Sequence, residues 1–288
     1  MANNFLKEKL RLPVFAGQFY PEERKDLEEI INNFLSVADI QSIKGEIFGL
    51  ILPHAGYNFS GQVAAYGYKA IARDNFETVI LIGDSHCERF DGISFWEKGK
   101  WQTPLGEVET DEQLAKIILE KSERFFVRDS AHLFEHSLEV QLPFLQMVLK
   151  NFKILPIVFG SENKDWKQLA KAILEVKKEK KILIVASSDL SHYPAYSEAK
   201  EVDRETIEAI LACQPEIFAQ KIKELEERSI ANAQTFACGQ DSIKTILEIA
   251  KKMGAKAELL KYANSGDSPF GDKFQVVGYC AISFYQPL

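Results

Sequence analysis

The sequence lacks the features that mark several large classes of protein. Its four cysteines, in a chain of 288 residues, are far apart and include no Cys-x-x-Cys pair. Such spacing argues against a disulfide framework, so we predict free thiols and a reducing, cytoplasmic location. No apolar run approaches the roughly 18 residues that a membrane helix needs, and no signal-peptide core follows Met1. We therefore expect no association with membranes.

Basic tracts and nucleotide-binding motifs are also missing. The formal net charge is −7, and the charged residues are interspersed rather than gathered into basic blocks. That distribution offers no electrostatic footprint for DNA or RNA, so we expect no nucleic-acid partner. There is no Gly-x-Ser-x-Gly elbow, phosphate-binding loop or dinucleotide fingerprint, which leaves serine hydrolases, NTPases and NAD enzymes without specific support.

What the sequence does contain is enough apolar material for one full core. Apolar residues make up 46% and aromatic residues 11% of the chain, so we predict a single domain over residues 1–288. Continuous apolar runs alternate with amphipathic helical patterns, as in a parallel sheet whose strands are buried on both faces. The predicted strands are Gly45–Leu52, Thr78–Ile82, Lys153–Phe159 and Lys181–Ala186, with Ala257–Tyr262 and Phe274–Phe284 closing the sheet.

Local patterns between these runs predict further elements. A helix over Gln62–Ala72 follows a glycine- and serine-bearing turn, and another over Ser137–Leu149 is interrupted by a proline. Thr110 begins a capping box, Thr-Asp-Glu-Gln, ahead of a short helix. The segment Ile93–Trp101 predicts either a hairpin with Gly99 at its turn or an irregular surface loop.

Three of the predicted strands each lead into a short turn and a histidine. His54 follows the first strand, His86 the second and His192 the last of the four. The carboxyl ends of parallel strands meet at one edge of an α/β sheet, where ligands bind. We therefore expect the three histidines to converge on one cleft.

His54 and His86 form the strongest candidate pair, because neutral imidazoles at adjacent strand ends suit a first-row metal. Taken singly, each would more often be a hydrogen-bonded structural histidine. Cys238 precedes a predicted helix over Gln240–Met253, where free N–H groups and the helix dipole favour a thiolate. That thiolate could bind a metal or attack an electrophile, and the alternative is an inert buried thiol.

Other titratable residues allow two interpretations each. Asp189 lies three residues before His192, where its carboxylate could orient the imidazole as a general acid or base; alternatively it caps the following turn. His132 and His136 have i, i+4 spacing, but leucine follows His132 where zincins have glutamate. We therefore disfavour a second metal site and place His136 behind the ligands or along the substrate. Cys87 could reach the same cleft.

Short motifs are spread along the chain from about residue 12 to the C-terminus. In sequence and order they resemble the Memo family, which includes AmmeMemoRadiSam system protein B. Because no single motif has to carry it, the resemblance is highly specific. The motifs are Phe15-Ala-Gly-Gln-Phe-Tyr-Pro21, Pro53-His-Ala-Gly-Tyr57, Ser60-Gly61, Asp84-Ser-His86, Thr103-Pro-Leu-Gly106, Glu135-His-Ser-Leu-Glu-Val-Gln-Leu-Pro-Phe144, Ser187-Ser-Asp-Leu-Ser-His-Tyr193 and Cys238-Gly239.

The resemblance implies a fold and a site. Members are similar to class III extradiol dioxygenases, a three-layer αβα fold with a central, mostly parallel but mixed sheet. The resemblance also implies metal ligands at His54, His86 and Cys238, with His192 at the position of the dioxygenase acid/base. A thiolate in place of the usual carboxylate makes Fe(II) or copper the expected metal, with zinc as a further option. Relatives commonly have proline at Asp84; this residue and Asp189 are the carboxylate alternatives for the third ligand.

Two functions remain open from the sequence. The first is a metal-dependent redox enzyme acting on a small molecule or a modified residue, with radical-SAM and companion proteins of the AmmeMemoRadiSam system as partners. The second is a non-catalytic metal or phosphopeptide binding module on a dioxygenase-derived scaffold. The acidic chain shows no arginine cluster for phosphate, so phosphopeptide binding ranks lower.

Overall fold

The computed structural model describes residues 9–160 and 165–288, and its centre is an eight-stranded mixed sheet with helices on both faces. The predicted α/β class with three layers is confirmed. The strands are β1 (Leu10–Arg11), β2 (Gly45–Leu52), β3 (Thr78–Asp84), β4 (Ile93–Phe95), β5 (Lys100–Thr103), β6 (Gly106–Glu109), β7 (Phe125–Val127), β8 (Lys153–Phe159), β9 (Ile182–Ser187), β10 (Lys256–Asn264) and β11 (Gly278–Pro287). The helices are α1 (Arg24–Val37), α2 (Tyr57–Ile71), α3 (Glu112–Leu119), α4 (Ser130–Leu133), α5 (His136–Glu139), α6 (Leu142–Val148), α7 (Trp166–Val176), α8 (Tyr196–Leu211), α9 (Pro215–Glu227) and α10 (Gln240–Met253).

The main sheet is parallel at its centre, and antiparallel pairs join this centre to the strands on either side. Its strand order is β10-β11-β2-β9-β3-β8-β4-β7. The pairs β2–β9, β9–β3, β3–β8 and β4–β7 are parallel, whereas β10–β11, β11–β2 and β8–β4 are antiparallel. A three-stranded sheet of order β1-β5-β6 accompanies it. Because β2, β9 and β3 are neighbours and parallel, their carboxyl ends share one edge.

Apolar residues alternate between two cores along the central strands. In β3, Val79 and Leu81 belong to the core beneath α1 and α2, whereas Ile80 and Ile82 belong to the core beneath α7 and α10. All four side chains are fully buried. Since both faces of the sheet are covered, such strands appear in the sequence as continuous apolar runs, and the sequence therefore located them.

The start of α2 differs from the prediction. The helix begins at Tyr57 rather than Gln62, so the glycine- and serine-bearing stretch after His54 is its first turn. Gly61 reflects close packing rather than a turn, whereas Gly56 is the N-cap. A Cβ on Gly61 would lie 2.5 Å from the ring of Phe34, so only glycine lets α1 and α2 approach this closely.

Other boundaries also needed the structure. The predicted hairpin is wrong, because β4 pairs with β7 and β8 while β5 pairs with β1 and β6. Asp111, not Thr110, caps α3 and accepts the Leu114 N–H at 3.0 Å. Pro143 interrupts its segment as predicted and stands in the first turn of α6, where a missing N–H is harmless. None of the described helices is long and apolar enough to cross a membrane.

Candidate metal centre

The ends of β2 and β3 carry two histidines to the same edge of the sheet. β9 lies between these strands and is parallel to both. The ring centroids of His54 and His86 lie 4.9 Å apart, with the rings almost perpendicular. The shared strand direction therefore brings together two side chains that are more than thirty positions apart in the chain.

A third imidazole completes a cluster with these two. The ligand nitrogens of His54, His86 and His136 all lie within 4.8 Å of one another. His136 begins α5, and its ring packs against Phe15 at 5.7 Å and Phe19 at 4.9 Å between centroids. From the sequence, His136 was expected behind the ligands or along the substrate. The structure instead places it among the candidate ligands.

Cys238 brings a thiol beside His54 and His86, although the cluster of mutually close ligand atoms found among the described residues comprises the three histidines. Its Sγ lies 3.2 Å from His54 Nε2, accepts the Asp189 N–H at 3.2 Å and hydrogen bonds with His86. Gly239 follows as the N-cap of α10, and a Cβ there would lie 2.5 Å from a carbonyl oxygen at the end of β9. Burial raises the pKa of the Cys238 thiol, and the nearby Asp189 carboxylate adds to that effect. A neighbouring cation would therefore favour the thiolate.

Glu135 holds His86 in place. Its Oε1 lies 2.9 Å from His86 Nδ1, and its Oε2 accepts the His86 backbone N–H at 2.7 Å. Burial opposes ionisation of this carboxyl, but the bonds and charge of His86 lower the pKa of Glu135 to about 2. Burial also acts to lower the pKa of His86, yet hydrogen bonds with Cys238 and Glu135 raise it to about 11. Because Nδ1 of His86 is hydrogen bonded to Glu135, Nε2 is the nitrogen that could bind a metal.

The sequence predicted no role for Glu135, although the residue begins the motif Glu135–Phe144. Glu135 and His86 are 49 positions apart, and no local spacing relates them. The side chain of Glu135 is fully buried, and a buried carboxylate requires partners. A further neighbour is the exposed Cys87, whose Sγ lies 3.9 Å from Glu135 Oε2.

His54 is fixed on its backbone and on its ring. Asp189 Oδ1 accepts the His54 backbone N–H at 2.8 Å, and Ser187 Oγ lies 3.0 Å from His54 Nδ1. Burial, together with the neighbouring His86 and His136, lowers the pKa of His54 well below its ordinary value. The ring is therefore neutral, which is the form that binds a metal.

Asp189 is paired with His54 rather than with His192, which corrects the expected contact. Its Oδ1 accepts the His54 N–H at 2.8 Å, and its Oδ2 lies 3.9 Å from His54 Nε2. The chain turns away after Asp189, and the His192 N–H donates to the Thr235 carbonyl at 2.9 Å. Burial raises the pKa of Asp189 to about 7. Its predicted catalytic role stays a prediction, and orientation of His192 is no longer its basis.

His192 stands close enough to the cluster to interact with it electrostatically. Burial, with the charge of His86, lowers the pKa of His192 to about 4. Its Nε2 is buried and makes no hydrogen bond within the part of the chain that the structure describes. Tyr193, the next residue, has a left-handed φ of 71°, which is uncommon outside glycine. The acid/base role of His192 stays a prediction, and its unbonded nitrogen is compatible with it.

Asp84 has a structural task at the edge of the site. Its carboxylate accepts the Asp241 N–H at 3.0 Å, the Ser242 N–H at 3.1 Å and the Ser242 hydroxyl at 2.5 Å. Asp84 therefore caps the first turn of α10 from outside the helix. The cap joins the strand end that leads to His86 to the helix that follows Cys238. As an alternative third ligand, Asp84 is thus already engaged elsewhere.

His132 belongs to a different environment. Its ring packs against Trp96 and Trp101, at 6.0 and 6.3 Å between centroids, and its Nε2 lies 3.0 Å from Ser94 Oγ. Burial, with the charge of Arg11, lowers the pKa of His132 to about 3. The cluster of candidate ligands found among the described residues does not include it. The i, i+4 spacing of His132 and His136 therefore reflects no shared site.

The donor atoms fit a transition metal. Imidazole nitrogen and thiolate sulfur suit zinc, copper and iron. Two such donors on one tetrahedral ion, with bonds of about 2.0 and 2.3 Å, lie roughly 3.5 Å apart. The 3.2 Å between His54 Nε2 and Cys238 Sγ is close to that separation. His86 and His136 are near enough to supply further nitrogens after small side-chain movements.

Comparison with known proteins gives a match over almost the whole chain. The family model for Memo-like proteins matches residues 11–283. The MEMO1 family protein of Nitrosopumilus maritimus is 39% identical over 283 residues, covering 96% of this chain and 99% of that protein. Those of Sulfurisphaera tokodaii and Methanobrevibacter smithii are 38% and 37% identical, each over 96% of this chain and 99% of the relative.

A solved structure shares the fold. The crystal structure of an uncharacterized protein from Escherichia coli K12 matches with a TM-score of 0.54 and 12% identity. The match covers 82% of this chain and 99% of that one. At such low identity the likeness supports the α/β architecture alone.

Proposed function

The chain belongs to the family of Memo-like proteins, and we propose that it binds a transition metal through His54, His86 and Cys238 and uses it in redox chemistry. We expect Fe(II) or copper, with zinc as the alternative, because a mixed nitrogen and thiolate donor set suits all three. The proposed substrate is a small molecule or a modified residue that reaches the strand-end edge of the sheet.

The convergence of unlike donor atoms at a buried strand end carries the proposal. A sulfur lies 3.2 Å from one imidazole nitrogen, and the three imidazoles have ligand atoms within 4.8 Å of one another. Protonated imidazoles at such distances would repel one another, and burial opposes their charge as well. Burial lowers the pKa values of His54 and His136, so these rings are neutral; a bound metal would displace the proton that Glu135 and Cys238 favour on His86.

His136 decides whether this site is open or closed. Catalytic metal sites often keep three protein ligands and one exchangeable position, whereas structural sites use four protein ligands. If His136 joins His54, His86 and Cys238, the coordination is complete. If it does not, a position remains for substrate, and His136 lines that position.

A redox-active metal would supply electron exchange with a bound substrate. The chain supplies the surroundings. His192, with an unbonded Nε2 and a pKa lowered to about 4 by burial and the charge of His86, is neutral near pH 7 and can accept a proton. Phe15 and Phe19 pack on His136 and shield one side of the cluster from water.

Anaerobic loading with Fe(II), Cu(I) or Zn(II), followed by elemental analysis, tests the metal site. We expect stoichiometric metal in the wild type and its loss in Cys238→Ser and His86→Ala. Retention of metal in His136→Ala indicates an open site, and loss indicates a closed one. Stoichiometric metal in His86→Ala and Cys238→Ser would contradict the assigned ligands.

Oxygen uptake over a panel of catechols and metabolites then tests catalysis. Turnover that depends on the bound metal supports the redox enzyme. Stoichiometric metal without turnover on any member of the panel would favour the metal-binding module instead.

A further inference from the structure

We infer that Ser187, directed by Gln141 and by the Ser137 carbonyl, fixes the tautomer of His54 with the proton on Nδ1 and the lone pair on Nε2. Ser187 is thus a positioning residue for the metal ligand. The inference rests on the proposed metal site for its purpose, but the tautomer itself can be measured without metal. It also gives a role to a part of the Glu135–Phe144 motif that the donor set leaves unexplained.

The orientation of the Gln141 side-chain amide follows from its neighbours. Its Nε2 lies 3.0 Å from the Pro53 carbonyl oxygen, which can only accept a hydrogen bond. Its Oε1 accepts the hydroxyl of Tyr68 at 2.6 Å. The amide NH₂ group therefore faces Pro53 and, at 2.9 Å, Ser187 Oγ. Gln141 is 1% exposed, so water does not compete for these bonds.

One arrangement of the Ser187 hydroxyl gives each short contact its own proton. If the hydroxyl turned to His54, the Ser137 carbonyl would keep only a 3.4 Å contact with Gln141 Nε2, whose two protons already face Pro53 and Ser187. Ser187 Oγ lies 2.7 Å from the Ser137 carbonyl oxygen, 2.9 Å from the amide of Gln141 and 3.0 Å from His54 Nδ1. A hydroxyl has one proton and two lone pairs. The hydroxyl donates its proton in a hydrogen bond to the Ser137 carbonyl, and the Gln141 amide donates a hydrogen bond to one lone pair of Oγ. The second lone pair faces Nδ1, which must therefore donate.

The result is a neutral imidazole whose free lone pair is on Nε2, the nitrogen 3.2 Å from Cys238 Sγ. Glu135 likewise holds a proton on His86 Nδ1, which lies 2.9 Å from its carboxylate, so a metal would bind His86 through Nε2. Glu135, Ser137 and Gln141, which direct these contacts, all come from the segment that contains α5, whereas Ser187 ends β9. That segment therefore prepares both histidines before any metal binds.

Nitrogen NMR of the metal-free protein tests the tautomer directly. Long-range proton–nitrogen correlations distinguish a protonated from an unprotonated ring nitrogen for each of the five histidines. In the wild type near pH 7.5 we expect His54 to carry its proton on Nδ1. In Ser187→Ala the acceptor is gone, and we expect the proton to move to Nε2, towards Cys238 and Asp189. Zinc affinity should then fall by about 10- to 100-fold, the usual cost of losing a group that orients a ligand.

Ser94→Ala is the matched control, since Ser94 bonds to His132 Nε2 at 3.0 Å and to the Arg128 carbonyl at 3.1 Å. It should alter the His132 signals and leave the His54 tautomer and zinc affinity unchanged. Ser187→Thr keeps the hydroxyl and should keep the wild-type tautomer.

The outcomes separate this inference from the proposed function. A proton on Nε2 of His54 in the wild type overturns the inference, whether or not the variants fold. An unchanged tautomer in Ser187→Ala overturns it as well. If the tautomers behave as expected and zinc does not bind to the wild type, the tautomer assignment stands and the metal site fails.

Discussion

Replacing Arg11 by methionine should destabilise the protein strongly, although Arg11 lies outside the candidate site. Arg11 is 1% exposed. Its guanidinium pairs with Glu139 at 2.5 Å and donates to three carbonyls, those of His132 at 2.7 Å, Glu135 at 2.9 Å and Leu12 at 3.3 Å. Removing one partner of a buried ion pair leaves an uncompensated charge and costs about 3–5 kcal/mol.

The structure favours the lower end of that range. Glu139 keeps three other donors, namely the Val14 N–H at 3.2 Å, the Phe15 N–H at 2.8 Å and the Tyr20 hydroxyl at 2.6 Å. Methionine also replaces part of the apolar contact with Trp101, over which the guanidinium lies at 4.2 Å. We therefore expect the free energy of unfolding to fall by about 3 kcal/mol.

Urea unfolding followed by circular dichroism measures this change. Arg24→Met is the control, because Arg24 is 65% exposed in its pair with Glu28 and should change the free energy by less than about 0.5 kcal/mol. Adding Glu139→Gln to Arg11→Met removes the stranded charge and should recover part of the loss. A loss below about 1 kcal/mol in Arg11→Met would refute the reasoning that an unpaired buried carboxylate dominates the cost.

Four further predictions concern the site and its surroundings. His54→Ala should lose stoichiometric metal while its circular dichroism spectrum and unfolding midpoint stay close to wild type; retained metal would mean that the site is elsewhere. His192→Ala should keep the metal by elemental analysis and lose any turnover, so metal loss would make His192 a ligand. Bound metal should protect Cys238 from a thiol reagent, while the fully buried Cys280 stays unreactive with and without metal. Equal labelling rates of Cys238 in both forms would mean that its sulfur does not bind the metal. Burial lowers the pKa of His132 from 6.5 to about 3. The stability that the neutral ring contributes above pH 6.5 is therefore lost as the pH falls towards 3. Between pH 7.5 and 5 the free energy of unfolding, measured in urea, should fall by about 2 kcal/mol more in the wild type than in His132→Phe. Equal losses in the two proteins would contradict this prediction.

The position of the site could be read from the sequence because strand ends are a local property. A buried parallel strand is a continuous apolar run, and the residues after it must lie at the carboxyl edge of the sheet. His54 and His86 follow two such runs and meet there. Cys238 stands just before a helix whose first turn is polar, and this pattern is also local.

The partners of those residues could not be read in the same way. Glu135 is 49 positions from His86, and Asp189 is 135 positions from His54. The predicted pairing of Asp189 with the near neighbour His192 was reasonable by spacing, but the chain turns away between them. Which carboxylate reaches which imidazole depends on how α5 and the end of β9 pack against β2 and β3.

By itself, then, the sequence determined the α/β class, the central strands and the sheet edge that carries the candidate ligands, because periodicity and chain direction are encoded residue by residue. Only the tertiary structure decided that His136 joins the cluster, that Asp84 caps α10, and that Ser187 and Glu135 hold the two imidazoles. Hydrogen bonds form over about 3 Å, and a shift of one residue in packing would exchange every partner. Such distances are set by the packing of the whole core.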